Sequence, residues 1–362
     1  MIIEKIETFR TAVPLNKPFK TALRTVTVAE ATFVKITCDN GIVGWGEAPP
    51  TLVITGDSLS GIEAGINDVI RPFLLNQNLL GYEAIFQGLK TILVNNTSAK
   101  AAVDMALYDC ISQNCGLPLY QLLGGFRNEI ETDFTVSVNS PEEMGDDAVE
   151  YVKNGFNVLK VKVGIGEIST DIARIKEIRN RVGKEIKIRL DANQGWKPKD
   201  AVRAIRSMED AGLDIELVEQ PVKAEDLDGL KQVTDSVDTL IMADESVFSP
   251  KQAFEVIRRR SADLINIKLM KSGGIYQAQI INQLAETAGI ECMVGSMIET
   301  KLGITAAAHF AASKKNITRF DFDAPLMLAK ESISGGIKYN GRKITLPVRT
   351  GLGIEQVFLK EE

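Results

Sequence analysis

Residues 186–221 read IKIRLDANQGWKPKDAVRAIRSMEDAGLDIELVEQP. A β-branched run ends at Asp191, an amphipathic stretch follows and stops at Gly212, and a second run ends at Glu219. Strand, helix, strand is the βα unit of a parallel sheet. The same alternation starts near Thr132 and gives eight runs: 132–138, 158–163, 186–191, 215–220, 239–244, 264–269, 292–295 and 318–322. Seven helical segments separate them. One of these opens at Ser140, a capping residue with acidic residues behind it. Eight such strands close naturally into a barrel of the (β/α)7β, TIM-like type, whose functional groups gather at the C-terminal strand ends. Asp191, Glu219, Asp244, Lys268, Ser296 and Asp321 fall at or beside successive strand ends, about 24 to 28 residues apart, in step with one repeat. An open doubly wound sheet is the competing architecture. Its Gly-rich phosphate fingerprint is missing, because GIGEI at 164–168 does not have the GxGxxG spacing.

The flanks read differently. IIEKIETFRTAVPL, EATFVKITCDNG and IVGWGEAPP look like an antiparallel meander with a turn at Asp39-Asn40-Gly41, and SLSGIEAGINDVIRPFLL and TSAKAAVDMALYDCISQNCG look helical. We therefore expect an α+β domain over 1–128, a barrel over 129–323, and a segment over 324–362 that returns to the first domain.

Composition narrows the function. The 362 residues are 44% hydrophobic and 25% charged, an ordinary globular balance, with a formal charge of −6. That charge lacks the basic footprint of a nucleic-acid binder. No run of about 18 apolar residues exists, and the charged start MIIEKIETFR does not read as a signal peptide, so we expect a cytoplasmic protein without a membrane partner. Cys38, Cys110, Cys115 and Cys292 show no metal-type spacing and read as buried free thiols. The single histidine, His309, lies in the alanine-rich GITAAAHFAAS and reads as a packed helix residue. A catalytic triad or a His-rich zinc site would have to share that one residue, so proton chemistry falls to Lys, Asp, Glu or Tyr.

Lys160 and Lys162 stand two apart on a strand, hence on one face. Two ammonium groups sharing a barrel interior disfavour double protonation, which lowers a lysine pKa toward about 7 to 8, the range of a general base. A solvent-facing edge strand with two solvated lysines is the alternative. Asp191, Glu219 and Asp244 end three consecutive strands, and that much negative charge calls for a cation. All-oxygen ligands select a hard ion, Mg²⁺ before Zn²⁺; a salt-bridge network with lysines would also neutralise them. Lys268 ends the second strand after Glu219 and lies across the barrel from Lys162, so two bases can flank one substrate carbon.

KxK at 160–162, DAN at 191–193, VEQP at 218–221, ADES at 243–246 and NxKxxKxGG at 266–274 resemble the enolase superfamily, muconate-lactonising subgroup, across essentially the whole chain. The resemblance implies one Mg²⁺ per subunit on Asp191, Glu219 and Asp244, bases Lys162 and Lys268, and auxiliary Lys160 and Glu245. Within the subgroup the chain is most similar to the dipeptide epimerases. That implies inversion at the α-carbon of the C-terminal residue of a dipeptide, L-Ala-D/L-Glu in peptidoglycan salvage, in a homo-oligomer. By the same resemblance Asp321 and Asp323, placed two apart on the last strand, hold the substrate ammonium, Arg24 grips the glutamate carboxylate, and Ser296 and Ile298 in GSMIET contact the peptide. N-acylamino-acid racemases, o-succinylbenzoate synthases and muconate cycloisomerases share the two-lysine barrel, but their substrates lack the ammonium that two acids would attract. A non-catalytic binding barrel is the reading from another class.

Overall fold

In the computed structural model, which describes residues 1–359, the eight barrel strands are Phe134–Val136, Val158–Lys162, Lys187–Asp191, Ile215–Glu219, Leu240–Ala243, Leu264–Ile267, Glu291–Val294 and Ile317–Phe320. Each pairs in parallel with the next. The ends of the sheet meet where the Asp133 amide donates to the Phe320 carbonyl at 3.3 Å. Helices lie in every crossover, as parallel pairing requires. The helix Pro141–Lys153 starts with a reciprocal cap: Ser140 Oγ accepts from the Glu143 amide, and the Glu143 carboxylate accepts from the Ser140 amide.

Two-residue periodicity builds the barrel interior in layers. Leu217, Met242, Leu264 and Met293 form their own buried apolar cluster. Two residues further along the chain, at or just past the strand ends, come Glu219, Asp244, Asn266 and Gly295. The apolar layer floors the barrel, and the polar layer faces its mouth.

Over that mouth lies an antiparallel meander of Ile3–Lys20, Thr25–Cys38 and Val43–Ala48. Its second turn is set by Gly41, with φ +81°. The helix Thr97–Asn114 packs behind it with nearly every residue buried. Gly44 and Gly46 permit this packing, since a methyl group there would stand 2.1 Å from the Ala106 carbonyl oxygen and 1.9 Å from that of Ala102. The C-terminal stretch reaches the same helical region: the Leu119 amide donates to Gly351 O at 2.8 Å, and the Leu352 amide to Asp109 Oδ1 at 2.8 Å. No helix among the described residues is long and apolar enough to cross a membrane.

Three expectations need correction. The sixth strand stops at Ile267 rather than 269, because Lys268 caps the short helix Leu269–Ser272. The eighth stops at Phe320, so Asp321 and Asp323 lie beyond the last strand and not on it. Cys115 is exposed, sitting at the C-cap of its helix, whereas Cys38, Cys110 and Cys292 are buried and unbridged.

Candidate active site

A small cavity of about 50 Å³ lies between the barrel mouth and the capping domain. Lys160, Lys162, Lys268 and Asp321 line it from the barrel, with Ser296, Ile298 and Asp323 from the loops beyond strand ends. Arg24 enters from the capping domain, between the first two strands of the meander. Asp191, Glu219, Asp244 and Glu245 are buried beside these lysines. The structure thus brings together the candidate catalytic, metal-ligand and substrate-contact residues read from the sequence.

Ion pairs knit the floor. Lys160 Nζ lies 2.7 Å from Glu219 Oε2, 2.8 Å from Asp321 Oδ2 and 3.2 Å from Asp191 Oδ2. Lys162 Nζ meets Asp191 Oδ2 at 2.6 Å, and Lys268 Nζ meets Asp244 Oδ2 at 2.7 Å. Among the described residues, no three His, Cys, Asp or Glu side chains stand as a ready-made metal cage, because the carboxylates close on ammonium groups instead.

This geometry overturns one expectation. The mutual repulsion of neighbouring lysines does not lower Lys160: burial opposes its charge, but Asp321, Glu219 and Asp191 outweigh burial and raise it well above the ordinary lysine value. Lys268 is likewise raised, with Asp244 and Glu219 overcoming desolvation. The acids separate in turn. Asp191, despite burial, is held down at about 2 by Lys162 and Lys160. Glu219 is pushed up to about 7 by burial and by Asp191. Glu245 rises to about 8, by burial and the charges of Asp244 and Asp191. Asp323 rises to about 7, by burial and then Asp321.

Several participants escaped the sequence reading. Lys271 is fully buried, with Nζ 2.5 Å from Asp244 Oδ1 and 3.0 Å from the Asn266 carbonyl. Asn266 Nδ2 donates to Glu219 Oε1 at 2.7 Å, and Gln220 Oε1 accepts from the amides of Asp244 and Ser246. Lys271 and Asn266 stand in the quoted NxKxxKxGG, and Gln220 in VEQP; the motif was visible, but the partner that each side chain meets was not. Asn193, Gln194 and Gln220 have φ of +41°, +67° and +36° at strand ends, a strained backbone typical of functional sites. Gly295 leaves these side chains room: a methyl there would stand 3.3 Å from Lys268 Cε and 3.0 Å from the Asn266 amide, and both would have to shift slightly.

A closed eight-stranded barrel with buried lysines and carboxylates at its mouth, capped by an α+β domain, defines a class. Residues 143–357 match the family described as enolase C-terminal domain-like, and residues 5–124 match the mandelate racemase / muconate lactonizing enzyme N-terminal domain. The chain belongs to the enolase superfamily, and its chemistry is that of an isomerase. More particularly, it is 68% identical to the L-Ala-D/L-Glu epimerase of Bacillus subtilis (strain 168), over 98% of this chain and 97% of that one. A solved substrate-liganded complex of the Bacillus subtilis enzyme superposes with a TM-score of 0.98 at 67% identity, covering 99% and 100% of the two chains. The dipeptide epimerase of Enterococcus faecalis V583, solved with Mg and the dipeptide L-Leu-L-Tyr, gives a TM-score of 0.95 at 47% identity, covering 98% and 100%.

Proposed function

We propose that this enzyme inverts the α-carbon of the C-terminal residue of L-Ala-D/L-Glu, using Lys162 and Lys268 as opposed bases. One observation carries the reading: Lys162 ends the second of eight barrel strands and Lys268 directly follows the sixth, diametrically opposed, yet both line one cavity. Lys162 Nζ takes the α-proton from one face, and Lys268 Nζ delivers a proton to the other. Reversing the roles runs the opposite epimerisation.

The donor set suits a hard divalent cation. Asp191, Glu219 and Asp244 offer only carboxylate oxygens, all buried, and Glu219 Oε2 and Asp244 Oδ1 have no hydrogen-bond partner beyond their lysine ion pairs. These three would hold one Mg²⁺ per subunit, which supplies Lewis-acid stabilisation of charge developing on the substrate carboxylate. Lys268 Nζ gives up its proton readily only when Asp244 is otherwise compensated, so Glu245 and Lys160 act as auxiliaries that set the charge around the ligands.

Asp321 and Asp323 would receive the substrate ammonium; Asp323 keeps one oxygen on the Thr135 amide at 2.6 Å. Arg24 forms no ion pair among the described residues and is partly desolvated, which leaves its guanidinium for the glutamate side-chain carboxylate. Ser296 and Ile298 would contact the peptide. Salvage of peptidoglycan peptides by a cytoplasmic homo-oligomer is the setting this chemistry suits.

The test is proton exchange. With Mg²⁺ in D₂O, the enzyme is expected to replace the glutamate α-hydrogen of L-Ala-L-Glu with deuterium, read by proton NMR. Exchange absent from that dipeptide and from a panel of other Ala-X dipeptides would discard the substrate assignment.

A further inference from the structure

The stretch GWGEA in the strand Val43–Ala48 does more than close the meander. Gly44 and Gly46 let the strand sink against the helix Thr97–Asn114, and the next residue, Glu47, is fully buried with its side chain directed out of the capping domain. Glu47 Oε1 accepts from the Thr300 amide at 2.7 Å; Oε2 accepts from Thr300 Oγ1 and from the Gly303 amide, each at 2.7 Å. These amides open the barrel helix Lys301–Ala312, where no intrahelical acceptor exists for them. The loop entering that helix carries Ser296, Met297 and Ile298, all on the cavity wall.

Glu299 completes the arrangement. It is buried, its Oε1 accepts from the Met297 amide at 2.9 Å, and its Oε2 has no partner. A methyl group at Gly303 would stand 2.4 Å from Glu299 Oε2 and 3.2 Å from Glu47 Oε2, so an oxygen of each carboxyl group lies close to the Cα of Gly303. Two buried carboxylates so placed cannot both stay charged.

We propose that Glu47 is a positioning residue for the substrate-facing loop 296–300: from the capping domain its carboxylate fixes the first turn of the following barrel helix, while Glu299 stays protonated beside it and holds Met297. The loop shape then depends on a bond across the seam between cap and barrel. Burial raises both acids, and the charge of Glu47 lifts Glu299 to about 8. Lys268, facing the pair from the barrel, pulls Glu299 the other way. Protonated Glu299 is lost as pH rises through that value, so the loop loosens on the alkaline side.

The inference rests on the proposed function only for the identity of the substrate, and its test has an arm that needs none. In the ligand-free full chain, Glu47→Gln and Glu47→Ala are expected to speed amide hydrogen exchange at residues 296–303 by about tenfold or more, since bonds to a charged acceptor are lost. In the Mg²⁺-loaded enzyme they are expected to raise KM for L-Ala-L-Glu about tenfold with kcat within about threefold, the signature of lost binding rather than lost chemistry. Glu299→Gln, permanently neutral, should keep both parameters near wild type and abolish a rise in KM above pH 8. Protection at 296–303 unchanged in Glu47→Gln, or a loosened loop with unchanged KM, would overturn the proposal. Faster exchange in an enzyme inactive on every dipeptide would instead indict the substrate assignment.

Discussion

His309 has its imidazole sealed between the helix Lys301–Ala312 and the turn at Tyr120, whose amide donates to Nδ1 at 2.9 Å. Burial drops its pKa to about 3, against 6.5 in the unfolded chain. A depressed base stabilises the fold fully above the unfolded value, and that contribution is lost as pH falls from 6.5 toward 3. We predict that the stability difference between wild type and His309→Asn shrinks by roughly 1 kcal/mol per pH unit across that window, measured by urea unfolding; a difference independent of pH would contradict the burial argument. The packed role of His309 was legible because its neighbours are alanines. The protonation of Lys160 was not legible: two lysines on one strand are visible in VLKVKV, but the acids facing them come from the third and fourth strands and from just beyond the eighth, and they decide the sign.

Elements show the same division. Repeated strand-to-helix alternation made all eight barrel strands readable, since each is a local pattern of β-branched residues with its own boundaries. Strand ends were less readable where the chain turns at once into another element, as at Lys268, or runs on without regular structure, as at Asp321. The strand Val43–Ala48 illustrates a tertiary demand: GWG looks like a poor strand sequence, and its glycines make sense only once the helix Thr97–Asn114 lies on them. Gly46→Ala is therefore expected to destabilise the protein by at least about 1–3 kcal/mol through overpacking against the Ala102 carbonyl, seen as a lowered thermal midpoint. An unchanged midpoint would mean that strand and helix separate at little cost. The helix also presents Asp104 to the start of the barrel helix Ile275–Thr287, accepting from the Ile275 amide at 2.6 Å and the Tyr276 amide at 3.2 Å. Together with Glu47, it makes two buried carboxylates of the cap that close barrel helix N-termini.

On the scale of the whole molecule, the cap contributes Arg24 and Glu47 while the barrel contributes the lysines and acids, so the cavity exists only where the two meet. Such contacts span up to 256 residues of sequence, and no local pattern announces them. The barrel's circular order, by contrast, follows from counting strands, and it places Lys162 opposite Lys268. Stereospecific exchange in the lysine variants tests that placement most directly. With Mg²⁺ in D₂O, Lys162→Ala and Lys268→Ala should each lose epimerisation by at least about 10²–10⁴-fold, and each should retain α-hydrogen exchange from one epimer only, the opposite epimer in the two variants. Retained exchange from both epimers in either variant, or from the same epimer in both, would contradict two bases facing each other across the barrel.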